Sequence, residues 1–134
     1  YYLKKSQNIK VKKKILVTGC SKFIGSHVCK KLKKKKHNIF GIDNLNNYYN
    51  INNKLENLEI LRSYENFQFE VSDICDTTII SKWKPEKIIH LASMAGVRYS
   101  IQNPALYEKV NIGGFIHILE ESQKNNVKQN FYDD

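Results

Sequence analysis

The order of elements over the first 43 residues constrains this chain more than any bulk property: a buried strand, a glycine turn, a helix, a second buried strand and a carboxylate. Ile15-Leu16-Val17 is a short apolar run stopped by Thr18-Gly19, the pattern of a strand covered on both faces. Helical spacing follows, with Ile24, Val28 and Leu32 four apart on one face; the lysines at 30, 31 and 33–36 make up a solvated surface. Ile39-Phe40-Gly41-Ile42 is the second buried strand and closes at Asp43. A strand returning through a helix to a second strand implies parallel pairing with a right-handed crossover.

The same alternation continues. Asn44 to Asn53 is polar and turn-rich and predicts a loop. Leu55, Leu58 and Leu61-Arg62 predict a modest helix, and Phe67, Phe69 and Val71 alternate with Gln68 and Glu70 as in a strand exposed on one side. A short helical segment over Thr77–Trp83 precedes Pro85, and Ile88-Ile89-His90-Leu91 is a third strongly buried strand. Pro104 opens a long segment through Leu119. Its apolar residues Leu106, Val110, Ile112, Phe115, Ile116 and Leu119 cover much of the circumference and predict a well-buried helix. Asn125-Asn126 ends it, and Val127 to Tyr132 begins a further strand. The reading is an α/β, Rossmann-type doubly wound parallel sheet of order 3-2-1-4-5, its last strand cut short, in three αβα layers. The Phe67–Val71 strand falls at its edge. Residues 1–13 read as a basic tail and 14–134 as a partial nucleotide-binding domain without a second, substrate-binding one.

Chemistry concentrates at the first strand–helix junction. Thr18-Gly19-Cys20-Ser21-Lys22-Phe23-Ile24-Gly25 places backbone N–H groups at a helix N-terminus, where a pyrophosphate can bind. Asp43 lies 24 residues beyond Gly19, about where a carboxylate accepts hydrogen bonds from an adenosine ribose. An acid there also repels a 2′-phosphate, which favours NAD over NADP.

Composition narrows the alternatives. A net charge of +9 invites a nucleic-acid partner, yet the chain has 20 Lys and only 2 Arg, alongside 16 Ile and 15 Asn. Those abundant types share A/T-rich codons, and arginine, the better residue for bidentate contacts, is nearly absent, so no nucleic-acid partner is expected. Cys20, Cys29 and Cys75 form no C-x-x-C, which speaks against a disulfide framework or a cysteine metal site and for a reducing, cytoplasmic compartment. No apolar run approaches the ~20 residues of a membrane span. The chain begins at Tyr1 and its one methionine is Met94, which reads as a fragment or a trimmed product.

Longer stretches carry a resemblance. Val17-Thr18-Gly19 with Phe23-Ile24-Gly25-Ser26-His27, Asp43-Asn44-Leu45-Asn46-Asn47-Tyr48-Tyr49, Asp73-Ile74, and His90 through Ser100 follow one another in order. Asn103-Pro104, Tyr107, Asn111, Gly114-Phe115 and Leu119-Glu120 complete the series. The chain resembles the N-terminal part of an NAD-dependent epimerase/dehydratase, an extended short-chain dehydrogenase/reductase, and is most similar to UDP-glucuronate 4-epimerases. The resemblance implies that Gly19, Phe23, Ile24 and Gly25 line the pyrophosphate, with Lys22 at a cofactor-binding position among them, and that Asp43 and Asn44 hold the adenosine ribose. Asp73 and Ile74 would flank the adenine, and Leu91, Ala92 and Ala95 would lie on the nicotinamide side. Arg98 would face a UDP-sugar pocket, where a guanidinium pairs with an anionic substrate. Intact members would be homodimers.

The chain also departs from that pattern. The family loop reads G-x-x-G-x-x-G, and Lys22 stands at its middle glycine. A lysine there either blocks the cofactor or swings its ammonium onto a phosphate; with no compensating glycine, weakened NAD binding is expected. A left-handed backbone at that position would add about 1 kcal/mol of strain or more. Ser93 replaces a usual alanine, and the terminal acids Asp133 and Asp134 sit awkwardly where a buried strand is expected. The family's catalytic Ser/Thr and Tyr-x-x-x-Lys pair is missing, so no catalytic residue is assigned. Tyr1 and Lys5 match the spacing by chance, ahead of the first strand.

Overall fold

The computed structural model describes residues 12–47 and 50–132. Tyr1, Lys5 and most of the basic tail, the Tyr48-Tyr49 pair, Asp133 and Asp134 lie outside the described residues.

Strands and helices alternate: β1 (Lys14–Thr18), α1 (Phe23–Lys34), β2 (Asn38–Asp43), α2 (Ile51–Arg62), β3 (Phe67–Val71), α3 (Ile79–Trp83) and β4 (Lys87–His90). Two short helices, α4 (Val97–Gln102) and α5 (Pro104–Tyr107), lead into a π-helical stretch, Glu108–Gly114. Helix α6 (Phe115–Lys124) and strand β5 (Gln129–Tyr132) follow. All four strand pairs are parallel, and the order is β3-β2-β1-β4-β5, as the sequence predicts.

The central strands are apolar throughout because both faces are covered. Ile15 and Val17 of β1 point to one side and pack with Ile39, Phe67, Cys29 of α1 and Leu58 and Leu61 of α2. Leu16 points to the other, among Ile42, Ile88, Ile74, Ile79 and Ile80 of α3 and Ile118 of α6. The edge strand β3 buries Phe67 and half-buries Phe69 while Gln68 and Glu70 are exposed, as the one-sided alternation predicts, but Val71 at the strand end is 60% exposed. The three cysteines are free thiols.

Three local expectations are corrected. Helix α1 packs only in part through the predicted stripe: Leu32 leans on the core and Val28 is half-buried, but Ile24 is 54% exposed, and the fully buried residues are Gly25, Ser26 and Cys29. Small residues face inward because the helix start lies directly on the preceding turn. The segment from Pro104 to Leu119 is not one well-buried helix. It is helical without a gap, but winds as a π-helix between α5 and α6 and is only partly buried, with Ile112 and Ile116 exposed and Ile118 taking the core position. The loop after Asp43 ends at Asn50, whose side chain accepts from the Asn52 N–H at 2.9 Å and so starts α2 at Ile51, inside the predicted loop.

Candidate functional site: a crevice at the strand C-termini

Parallel strands in this order open a crevice at their C-terminal ends, where successive crossovers go to opposite faces. The crevice begins at Gly19, which leaves β1 with φ +67°. A side chain there would meet the backbone of Leu91 and Ala92 at 2.9–3.0 Å, so glycine is required by conformation and by contact. Gly25, one turn into α1, has the second such role: a Cβ would sit 2.0 Å from the Gly19 carbonyl oxygen. Between them Lys22 is extended, at φ −73° and ψ 170°, so its position does not need the left-handed region and the foreseen strain does not arise.

Asp43 ends β2 as predicted, and it is buried at 4% exposure. Its Oδ2 accepts from the Ser21 hydroxyl at 2.5 Å and the Ser21 N–H at 3.3 Å, and its Oδ1 accepts from the Leu45 N–H at 2.9 Å. Lys54 of α2 places its ammonium 3.8 Å from the same Oδ1, with both side chains buried. That ammonium also donates to the Asn46 carbonyl and side-chain oxygens at 3.0 and 3.1 Å. The carboxylate therefore fastens the glycine turn to β2 and α2 and carries its charge in a neutralised pair.

On the far side, Thr18 performs the equivalent stitching. Its Oγ1 accepts from the N–H groups of Leu91 and Ala92, each at 3.0 Å, and lies 2.7 Å from His90 Nδ1. With its acceptor positions taken, the hydroxyl donates to Nδ1. Burial, and then the charge of Lys22, pushes the His90 pKa down to about 4, so the imidazole is the neutral partner this bond needs.

These elements enclose a narrow cleft of about 30 Å³ whose lining includes Gly19, Lys22, Asp43, Asn44, Asp73, Ile74 and Ala92. The cleft also takes in Ser93, Met94 and Val110. Beside it a cavity of about 370 Å³ is lined by Ala95, Gly96, Arg98, Tyr99 and Tyr107. Tyr107 donates to the Ala95 carbonyl at 2.6 Å, and Asn111 clamps Met94 by accepting from its N–H at 2.8 Å and donating to its carbonyl at 2.9 Å. A third cavity, about 440 Å³, lies between the starts of α1 and α2 and is bounded by Lys22, Phe23, Asn53 and Lys54.

The structure thus brings Gly19, Lys22, Asp43, Asn44, Asp73, Ile74 and Ala92 together, and puts Ala95 and Arg98 in the adjoining cavity. Phe23 is 75% exposed and faces the third cavity, with its ring centroid 4.5 Å from that of His27. Ile24 is exposed beside it, Gly25 packs under the turn, and Leu91 leans on the apolar core. None of these four lines the narrow cleft. Sequence reasoning missed Lys54, which looks like any helix lysine. The signal that could have found it is the four-residue step from Asn50, the helix cap, which points Lys54 back toward Asp43.

The order of these residues along the chain matches a known profile. The family model described as GDP-mannose 4,6 dehydratase matches residues 16–133. The chain belongs to this family. It is 42% identical over 123 residues to Protein CapI of Staphylococcus aureus, covering 89% of this chain and 36% of CapI. It is 38% identical over 110 residues to UDP-glucuronate 4-epimerase 1 of Arabidopsis thaliana, covering 79% of this chain and 25% of the relative. Among solved structures, a variant UDP-glucuronic acid 4-epimerase from Bacillus cereus, in complex with UDP-4-deoxy-4-fluoro-glucuronic acid and NAD, superposes with a TM-score of 0.80. That pair is 31% identical, over 89% of this chain and 39% of the other. The chain spans about a third of the length of the relatives it matches. Among the described residues no helix is long and apolar enough to cross a membrane.

Proposed function

We propose that this chain is the N-terminal, NAD-binding part of a nucleotide-sugar 4-epimerase of the UDP-glucuronate type. The observation that carries the reading is the crevice itself: a positive-φ glycine turn, a helix N-terminus and a β2-terminal carboxylate on one wall, faced by Asp73 and Ile74. The names of the relatives, UDP-glucuronate 4-epimerases and an NAD-containing complex, support it.

The residues present fit a dinucleotide. Gly19 lines the cleft beside the start of α1, whose N–H groups suit a diphosphate. Asp43, through the turn it fastens, and Asn44 shape the ribose end, while Asp73 and Ile74 form the adenine wall. Ala92 and Ala95 border the nicotinamide end, with Leu91 anchoring that strand exit from below. Arg98 offers a guanidinium to the anionic sugar nucleotide from the 370 Å³ cavity. When bound, NAD supplies reversible hydride acceptance at the sugar C4. The residues of this chain bind and orient; the proton-moving Tyr-x-x-x-Lys pair of the family has no counterpart among the site residues. With Lys22 on the cleft the 134 residues bind NAD weakly, and without that pair they do not interconvert UDP-glucuronate and UDP-galacturonate.

A calorimetric titration with NAD, competed by ADP, tests this together with a turnover assay on UDP-glucuronate. Saturable binding that ADP displaces, without turnover, is the expected result. Absence of both NAD and ADP binding overturns the cofactor reading, and turnover by this chain overturns the division of labour.

A further inference from the structure

The side chain of Lys22 spans the crevice. From the head of α1 it crosses to the loop after β4, where its Nζ donates to the Ser93 carbonyl. The contact ties together the two loops between which a dinucleotide's diphosphate would run. The narrow cleft on which Lys22 lies has about 30 Å³, space for a water or two, while the cavities on either side measure about 370 and 440 Å³. Lys22 and its contact with Ser93 lie on this constriction, which runs on to Asp73 and Ile74. Burial lowers the pKa of its ammonium, Asp43 opposes that shift and Lys54 adds to it. Asp43 is already committed to Ser21, Leu45 and Lys54.

We propose that Lys22 is a strap across the diphosphate end of the crevice, through which the site discriminates among adenine nucleotides by their phosphates. The proposal rests on the dinucleotide reading above. A ligand that ends at the ribose has to part only the Asp73 and Ile74 side of the cleft, and does so without moving the ammonium from Ser93. A ligand with a diphosphate seats only by displacing the ammonium from Ser93, and the lysine stem then keeps it from the close approach to the turn that a glycine would allow. The strap therefore lowers affinity for ADP and NAD and leaves adenosine untouched.

The test is titration of the full chain and of Lys22→Gly with adenosine, ADP and NAD, followed by amide chemical shifts so that millimolar binding is measurable. Lys22→Gly is expected to tighten ADP and NAD about tenfold, the scale of one charged hydrogen bond, with adenosine unchanged within about twofold. Lys22→Met, which keeps the length and loses the donor, is expected to tighten the same two ligands by a smaller factor. Adenosine binding with no gain, or a loss, for ADP in both variants overturns the strap and leaves the nucleotide reading standing. Failure of all three ligands with all three proteins overturns the nucleotide reading and the strap with it. A gain shared equally by adenosine marks a general structural effect and also overturns the strap.

Discussion

The two walls of the crevice are built on opposite principles. The wall from Leu16 to Lys54 is rooted in the core: Leu16, Val17, Ile42 and Cys20 are fully buried, and Asp43 is held by three hydrogen bonds and a buried cation. The wall from Met94 to Ile112 leaves Val97 78%, Ile101 74% and Ile112 57% exposed. Polar clamps to the backbone hold it, Asn111 on Met94 and Tyr107 on Ala95. Neither wall leaves a buried side-chain nitrogen or oxygen without a partner among the described residues. The difference teaches that stability and recognition are separable here. The Leu16–Lys54 wall is continuous with the hydrophobic core, whereas the other wall leaves most of its large apolar side chains on the surface.

Core truncation should show the contrast most strongly. Ile88→Ala, at a fully buried position between the sheet and α6, is expected to cost about 4 kcal/mol in chemical denaturation; a cost below ~1 kcal/mol would contradict the packing described. Acid should expose the Thr18–His90 stitch next. Folded His90 stays neutral down to about pH 4 while the unfolded residue protonates near 6.5. The stability it protects is therefore complete above pH 6.5 and declines as pH falls toward 4, by about 2 kcal/mol between pH 7 and 5. Burial lowers the His37 pKa as well, which adds a slope of the same sign, so the comparison is with His90→Gln. An unchanged slope in that variant would remove His90 from the account. Ile101→Ala, on the open wall, should change unfolding free energy by no more than about 0.5 kcal/mol. A larger loss would mean that this wall is a second core.

Much of this was legible in the amino-acid order. Alternating strand and helix patterns specify the sheet order, because each crossover has one hand and continuous apolar runs belong at the centre. Gly19 and Asp43 were recognisable because turn geometry and charge at a strand end are local properties. What stayed hidden depends on partners distant in sequence. The most deeply buried residues of α1 are Gly25, Ser26 and Cys29, whose value is smallness, and a search for large apolar residues finds Leu32 but chooses the exposed Ile24 in their place. Lys54 carries the marks of a surface residue until Asp43 and Asn46 are placed around it. The extended backbone of Lys22 and its reach to Ser93 likewise follow from tertiary placement, which motif spacing does not encode.

The change of winding at Glu108–Gly114 has a consequence for how the chain tolerates insertion and deletion. An α-helix advances about 100° per residue, so one residue more or less in that stretch rotates everything downstream by that amount. Ile118 and Ser122 would turn out of the sheet face, and Ile116 would move toward it. The π turns therefore act as a phase adjuster: they let Asn111 reach Met94 while Ile118, seven residues on, still finds the core.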